Sequence, residues 1–412
     1  MVSGAFNGFV WSVGEEGSDP VVAGDHGPIR HDQYEQSGHY DNMERDLGSI
    51  ADLGVEMVRY GMPWRLAEPE SGVFDWTLWD RALAGAQDAG LTPIVDLLHF
   101  GIPDHVGPFV DSRWVEQFCR YADAFLSRYR DLVWFTPVNE PGITAVLTGR
   151  FGAWNDRLKS RSDHAKVLAN VVLANLEVVS RVRADRNGWW IGSEGFDAWV
   201  DPHGTDGDVV ARRRAVNWLV WDLHFGLDPL PGAAGYLDVV DDWIRARIAE
   251  LAVTDHAVAG HDFYPSSVHS VSDPNPDWDI DDLVVLGTAE LAAWYDRYQM
   301  PFWISETSNL SLPVADQERW LVALTAGVGR MIDDGLPVRG LCWYSRGDQF
   351  DWETALVAPT GAITEVGLFD VNRVRRPAAD AFARLVVSGT PEPQTTHISD
   401  VKEGSGAPSR RT

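Results

Sequence analysis

Two cysteines in 412 residues, Cys119 and Cys342, are too few for a disulfide framework or a four-thiolate metal site. Each is expected to be a reduced, buried small hydrophobe. No apolar run approaches the ~20 residues that cross a bilayer. The start, from Met1 to Val10, has neither the basic n-region nor the apolar core of a secretory leader. These features together lead us to expect a cytoplasmic protein. Positive charge is also scarce: 34 basic against 61 acidic residues give a net charge of −27. That balance argues against nucleic acid, whose phosphates want Lys and Arg, and against anionic membrane surfaces. There is no Gly-x-Gly-x-x-Gly turn, no phosphate-binding loop and no Gly-x-Ser-x-Gly elbow. No cofactor is expected.

Apolar residues make up 45% of the chain, and 19 Trp, 16 Phe and 10 Tyr supply ample burial for a large core. So many Trp also suggest flat platforms on which sugar rings stack. Between residues 1 and 389 no linker interrupts the chain. Short apolar runs alternate there with long amphipathic stretches. The runs predict strands over Phe9–Gly14, Glu56–Pro63, Thr92–Phe100, Val133–Pro141, Trp189–Phe196, Ala257–Ser266, Pro301–Thr307 and Val338–Ser345. Strands alternating with helices at this length predict an α/β fold, a single-domain (β/α)8 TIM barrel with loop insertions. Residues 390–412, polar and rich in Pro and Gly, are expected to be a disordered tail.

A barrel keeps its chemistry at the C-terminal ends of its strands. Those ends carry Arg59, His99, Asn139-Glu140, Asp262 with Tyr264, Glu306, and Trp343-Tyr344. Ionisable groups closing strongly apolar strands are expensive to desolvate. Their recurrence at one rim points to a site. Glu140 and Glu306 end the fourth and seventh strands, across the mouth from one another. Two carboxyls flanking one bond are what glycoside hydrolysis needs, one protonated and one ionised.

The same residues carry a resemblance. Thr136-Pro-Val-Asn139-Glu140-Pro141 resembles the Thr-x-Asn-Glu-Pro motif of glycoside hydrolase family 1, the β-glucosidase family of retaining (β/α)8-barrel enzymes. Ile304-Ser-Glu306-Thr-Ser is similar to its Ile/Val-Thr-Glu-Asn-Gly motif. Val58-Arg59-Tyr-Gly-Met-Pro-Trp64, Asp96-Leu-Leu-His99-Phe100-Gly-Ile-Pro103, Asp262-Phe-Tyr264, Trp343…Asp348-Gln-Phe-Asp351-Trp352 and Val366-Gly-Leu-Phe-Asp370 follow in the family's order. The resemblance spans residues 6–389. It implies a retaining exo-β-glycosidase acting on a small β-glycoside, with carboxyls ~5–5.5 Å apart. It makes Glu306 the nucleophile, supported by Arg59 and Tyr264, and Glu140 the acid/base. His99, Asn139, Asp262, Trp343, Asp351 and Trp352 would bind the sugar, with Trp343 as its apolar floor.

The chain departs from the family where a sugar-reading Gln is expected, in Tyr-Gln-x-Glu-Gly. Here Trp11-Ser-Val-Gly-Glu15-Glu16-Gly stands instead, and Glu16, rather than Glu15, is the expected substitute. Asp262 replaces the Asn of Asn-Tyr-Tyr, and Asp351 replaces a Glu. A transglycosidase with the same glutamates, or a non-hydrolytic sugar-binding relative, are the alternatives. A homo-oligomer is compatible with the sequence. His26, His31 and His39 lack metal-ligand spacing and are expected in a solvated loop, so no metal is expected. Asp277, Asp279, Asp281 and Asp282 are expected to open a capped helix rather than bind calcium.

Overall fold

The computed structural model describes residues 5–24, 26–357 and 359–391, so most of the expected tail lies outside the described residues. Eight parallel strands close into a barrel in which each pairs with its neighbours in sequence. They are β1 (Val10–Glu15), β2 (Met57–Gly61), β3 (Thr92–Asp96), β4 (Trp134–Thr136), β5 (Trp189–Ile191), β6 (Ala257–Asp262), β7 (Phe302–Glu306) and β8 (Val338–Tyr344). Seven fall inside the runs read from the sequence, and β1 overlaps its run but ends one residue past it, at Glu15. The runs were longer because apolar residues continue past the last paired residue into the mouth.

Helices fill the connections. Asp75 Oδ1 accepts from the Thr77 amide at 2.9 Å, where Thr77–Asp88 begins. Ser160 caps the 26-residue helix Arg161–Arg186. Asp279 and Asp282 form a reciprocal capping box at the start of Ile280–Tyr298, as expected of that acidic cluster. Trp114, Phe118, Tyr121 and Phe125 line the buried face of Arg113–Arg128. Both cysteines are buried and unpaired.

Side chains alternate along a strand, so every second residue enters the barrel. Val10, Met57, Ile94, Trp134, Ile191, Val258, Trp303 and Cys342 form one apolar layer, closed from below by Phe6. Two residues further on stand Ser12, Arg59, Asp96, Thr136, Ser193, Gly260, Ser305 and Tyr344. The interior therefore turns polar in one step, towards the C-terminal mouth. Gly260 allows this crowding, since a Cβ there would lie 1.8 Å from the Gly192 carbonyl oxygen.

Outside the barrel, His39 is fully buried rather than solvated, and His31 is buried as well. His39 Nδ1 meets Asp46 at 2.9 Å, and its Nε2 meets the Tyr60 hydroxyl at 2.9 Å. Glu15, His39 and Asp46 lie close enough to suggest a metal triad. Arg346 already bridges Glu15 at 2.6 Å and Asp46 at 3.1 Å, and Arg373 takes the other Asp46 oxygen at 2.8 Å. Two guanidinium groups fill the place a cation would take. The histidines were misjudged because polar neighbours in sequence hid long-range ion pairing.

Removing one member of such a buried network strands its partners. Arg346→Met is expected to destabilise the fold by about 3–5 kcal/mol, read as a lowered urea midpoint; a midpoint at the wild-type value would show that the network contributes little.

Candidate active site

Arg59 stands at the centre of the mouth, fully buried. Its Nη1 donates to Glu306 Oε1 at 2.6 Å and faces Glu16 Oε1 at 3.0 Å. Its Nη2 donates to Asn139 Oδ1 at 2.5 Å and to Asp96 at 3.1 Å. Partners from four other strands, or from the turns just past them, thus converge on one guanidinium.

Glu306 departs from strict alternation. Ser305 points inward to Asp262, yet Glu306 also points inward. The register against β6 shifts between Ile304 and Glu306, and this irregularity turns the carboxylate into the mouth. Tyr264 donates its hydroxyl to the second Glu306 oxygen at 2.7 Å. Burial pushes the Glu306 carboxyl up to about 7, helped by the Asp262 charge and opposed by Arg59, His99 and the Tyr264 hydrogen bond.

Glu140 reaches the mouth by another device. It adopts a left-handed backbone, φ 40° and ψ 66°, immediately before the helix Pro141–Ala145. A non-glycine residue there is strained and needs support. The Glu140 amide donates to the Ser193 carbonyl at 3.0 Å. Glu194 accepts from the Gly142 amide at 2.8 Å and the Gly195 amide at 2.9 Å, pinning the turn from the next strand. Burial pushes the Glu194 carboxyl up to about 8, against the pull of these amides. Among the described residues no cation pairs with Glu140 within ion-pair distance. Burial first, then the charges of Asp262, Glu306 and Glu194, push its carboxyl well above the usual range.

His99 and Asn139 complete the polar wall. His99 Nδ1 meets Asp96 at 2.7 Å, which leaves Nε2 to accept from the Asn139 amide at 3.3 Å. Phe100, Trp154 and Leu356 form a small apolar cluster beside them, with half-buried Trp352 against it. The Trp352 ring lies 6.1 Å from Phe100.

The structure brings together Glu140, Glu306, Arg59, Tyr264, His99, Asn139, Asp262 and Glu16, but several expected sugar contacts need correction. Trp343 points out of the barrel, is fully buried, and donates to the Val366 carbonyl at 3.1 Å. Alternation from Cys342 puts Tyr344 inward instead, its ring stacked 6.2 Å from His99. Against the family's Trp-Ser-x-x-Asp-Asn-Phe-Glu-Trp pattern, counting back from Asp348-Gln-Phe-Asp351-Trp352 without a gap already sets Tyr344-Ser345 on Trp-Ser, the signal that was missed. The carboxylate of Asp351 is occupied. It accepts from Thr360 Oγ1 at 2.8 Å, from the Gly361 and Ala362 amides at 3.0 and 2.9 Å, and lies 3.0 Å from His31 Nε2. Against the push of burial, these contacts hold its carboxyl down to about 2. Glu16 has a fully buried side chain beneath the mouth, against Arg59, rather than open to a sugar. Glu15 turns away towards Arg346. The Asp262 oxygens are taken by Ser193, at 2.9 and 2.8 Å, and by Ser305 at 2.5 Å. Asp96, Glu194, Ser193 and Ser305 were not singled out from the sequence, although all four stand at or just past strand ends.

This geometry has relatives. Beta-glucosidase 4 of Oryza sativa is 26% identical over 243 residues, 53% of this chain and 48% of that protein, so the match spans about half the length of the rice relative. Beta-glucosidase 1B of Phanerodontia chrysosporium is 22% identical over 78% of this chain and 71% of its own. Among solved structures, the GH1 β-glucosidase from Exiguobacterium antarcticum B7 superposes with a TM-score of 0.77 at 16% identity, covering 92% of this chain and 97% of that one. The family 1 β-glucosidase from Thermotoga maritima in complex with isofagomine lactam gives 0.77 at 16% identity, covering 92% and 98%. The glycosyl hydrolase family 1 model matches residues 28–258, more than half of the chain, and the protein belongs to that family as a divergent, β-glucosidase-like member.

Proposed function

We propose that the chain, as one catalytic barrel, is a retaining exo-β-glycosidase that hydrolyses a small β-glycoside. The observation that carries this is the unequal treatment of two buried carboxyls. Glu306 receives a guanidinium at 2.6 Å and a phenol hydroxyl at 2.7 Å, both of which favour the ionised form. Glu140 has carboxylates for neighbours, which favour the protonated form. Such a split assigns nucleophile and acid.

In the first step a Glu306 oxygen attacks the anomeric carbon. The glycosidic bond breaks, its electron pair passes to the leaving oxygen, and that oxygen takes the Glu140 proton. In the second step Glu140, now ionised, takes a proton from water. The water oxygen displaces Glu306 from the anomeric carbon and restores its carboxylate. Asn139 stands beside the nucleophile, where it can bind the neighbouring hydroxyl of the sugar. Tyr344 and Trp352 offer apolar faces to the ring. Asp351 is committed within the protein and Glu16 is buried against Arg59, which leaves His99 and Asn139 as the principal polar groups for the glycone.

Glu306→Gly is expected to lower kcat/KM for an aryl β-glucoside by about 10³-fold or more. Added azide should restore turnover and give the inverted glycosyl azide. Near-normal turnover without azide would remove Glu306 from the nucleophile role. In wild type, NMR should show the β-anomer of the product first; the α-anomer appearing first would exclude retention.

The pH profile follows from the same asymmetry. Glu306 loses its proton as pH rises through about 7, so kcat/KM should rise there. Activity should fall again only at higher pH, as Glu140 loses the proton that the leaving group needs. An aryl β-glucoside assayed from pH 5 to 10 checks both limbs; a rate that only falls with rising pH would contradict the assignment.

A further inference from the structure

The family motif has Asn where this chain has Asp262, and the substitution adds a carboxylate directly beside the acid. Gly195 forms a parallel bridge with Asp262, and a Cβ on Gly195 would lie 3.2 Å from Glu140 Oε1, so the two carboxyls face one another within reach of a shared hydrogen bond. Two carboxyls can share such a bond only if one carries a proton. The surroundings decide which one. Ser193 Oγ lies 2.9 and 2.8 Å from the two Asp262 oxygens, and Ser305 Oγ lies 2.5 Å from Oδ1. Both hydroxyls can donate there, and donors favour the ionised form. Glu140 receives no comparable donor among the described residues.

We propose that Asp262 is a positioning residue for a proton: its serine-held carboxylate accepts a hydrogen bond from the Glu140 carboxyl and thereby keeps the acid loaded for the leaving group.

The other charged groups agree with this direction. Burial raises both carboxyls, but Arg59, Ser305 and Ser193 pull Asp262 back down. Glu306 and Glu194 also face Glu140, and both push its carboxyl up. Tyr264 faces the same cluster with a hydroxyl that burial keeps protonated. Removing the Asp262 charge therefore lowers the proton affinity of Glu140 while leaving the Arg59–Glu306 pair in place. The inference rests on Glu140 being the acid/base of the reaction.

The test is Asp262→Asn, assayed against wild type with two aryl β-glucosides. The amide can still accept from the serines, but it donates to Glu140 and so favours the ionised acid. The alkaline limb of kcat/KM for a phenyl β-glucoside should move down by about one pH unit or more, a tenfold loss above the new limb. A 2,4-dinitrophenyl β-glucoside, whose leaving group needs no proton, should change less than about threefold. An unmoved alkaline limb, or an equal loss with both substrates, would overturn the proposal. If the Asn variant does not fold, Asp262→Ser removes the same charge and carries the same expectation. Wild type inactive on all aryl β-glycosides would sink the proposed function itself, whereas an active wild type with an unshifted variant would sink only the role of Asp262.

Discussion

One buried guanidinium holds this mouth together. Arg59 sits within a polar layer one step above an all-apolar one, and Glu16, Asp96, Asn139 and Glu306 all close on it. An isolated charge at that depth would cost several kcal/mol, and a carboxylate without it would simply take up a proton. The barrel therefore cannot keep the arginine without the acids, or the acids without the arginine. Because the partners come from β1, β3, β7 and the end of β4, the charge cluster also ties the strand ends to one another. The fold and the proposed chemistry depend on the same contacts.

Much of this was legible in the sequence, for a physical reason. Parallel strands buried on both faces must be continuous apolar runs, so eight of them stood out, and any ionisable residue closing one was conspicuous. Arg59, Glu140, Tyr264 and Glu306 were found by that logic, and the structure brings them to one mouth. What could not be read was the direction of side chains once a strand stops. Trp343 was assigned to the sugar because it is a tryptophan at a strand end, but alternation from Cys342 sends it outward and brings Tyr344 in. Conversely, strict alternation would have expelled Glu306, and only the register shift beside β6 brings it back. Loop partners were equally hidden. Nothing local announces that Asp351 closes on Thr360, Gly361, Ala362 and His31. His39 looked solvated for the same reason, its partners Asp46 and Tyr60 being set by tertiary packing.

The two glutamates reach the mouth by different kinds of local irregularity, and the difference bears on their roles. Glu306 lies within a strand, its carboxylate held by two donors, which suits the proposed role of a nucleophile aimed at one carbon. Glu140 lies just beyond a strand, on a strained left-handed turn held by Ser193 and Glu194 from the neighbouring connection. Among the described residues its carboxyl receives no donor comparable to those on Glu306, and it faces the Asp262 carboxyl. A proton donor needs less directional fixing than a nucleophile, but it needs an environment that keeps the proton in place. On the proposed roles, the mouth supplies each glutamate with the constraint its chemistry requires.

The departures from the family pattern form a coherent set. Gly14 stands on the inward face of β1, and the space of its absent side chain is filled by Glu16 and Tyr344, which come within 2.6 and 2.9 Å of a Cβ placed there. The carboxylate of Asp351 is spent on its own loop, and Asp262 is spent on two serines. Each change withdraws a polar group that could have read the outer hydroxyls of a sugar, while Arg59, Tyr264, Asn139 and both glutamates stay around the bond to be broken. Specificity for a substrate hydroxyl comes from buried groups left unpaired without it. With Asp262 and Asp351 hydrogen-bonded within the protein, neither imposes that penalty. The geometry thus favours recognition through the apolar faces of Tyr344 and Trp352 over a dense hydrogen-bond code. On the proposed reading, the residues around the bond to be broken are kept while those expected to read the glycone depart from the family pattern.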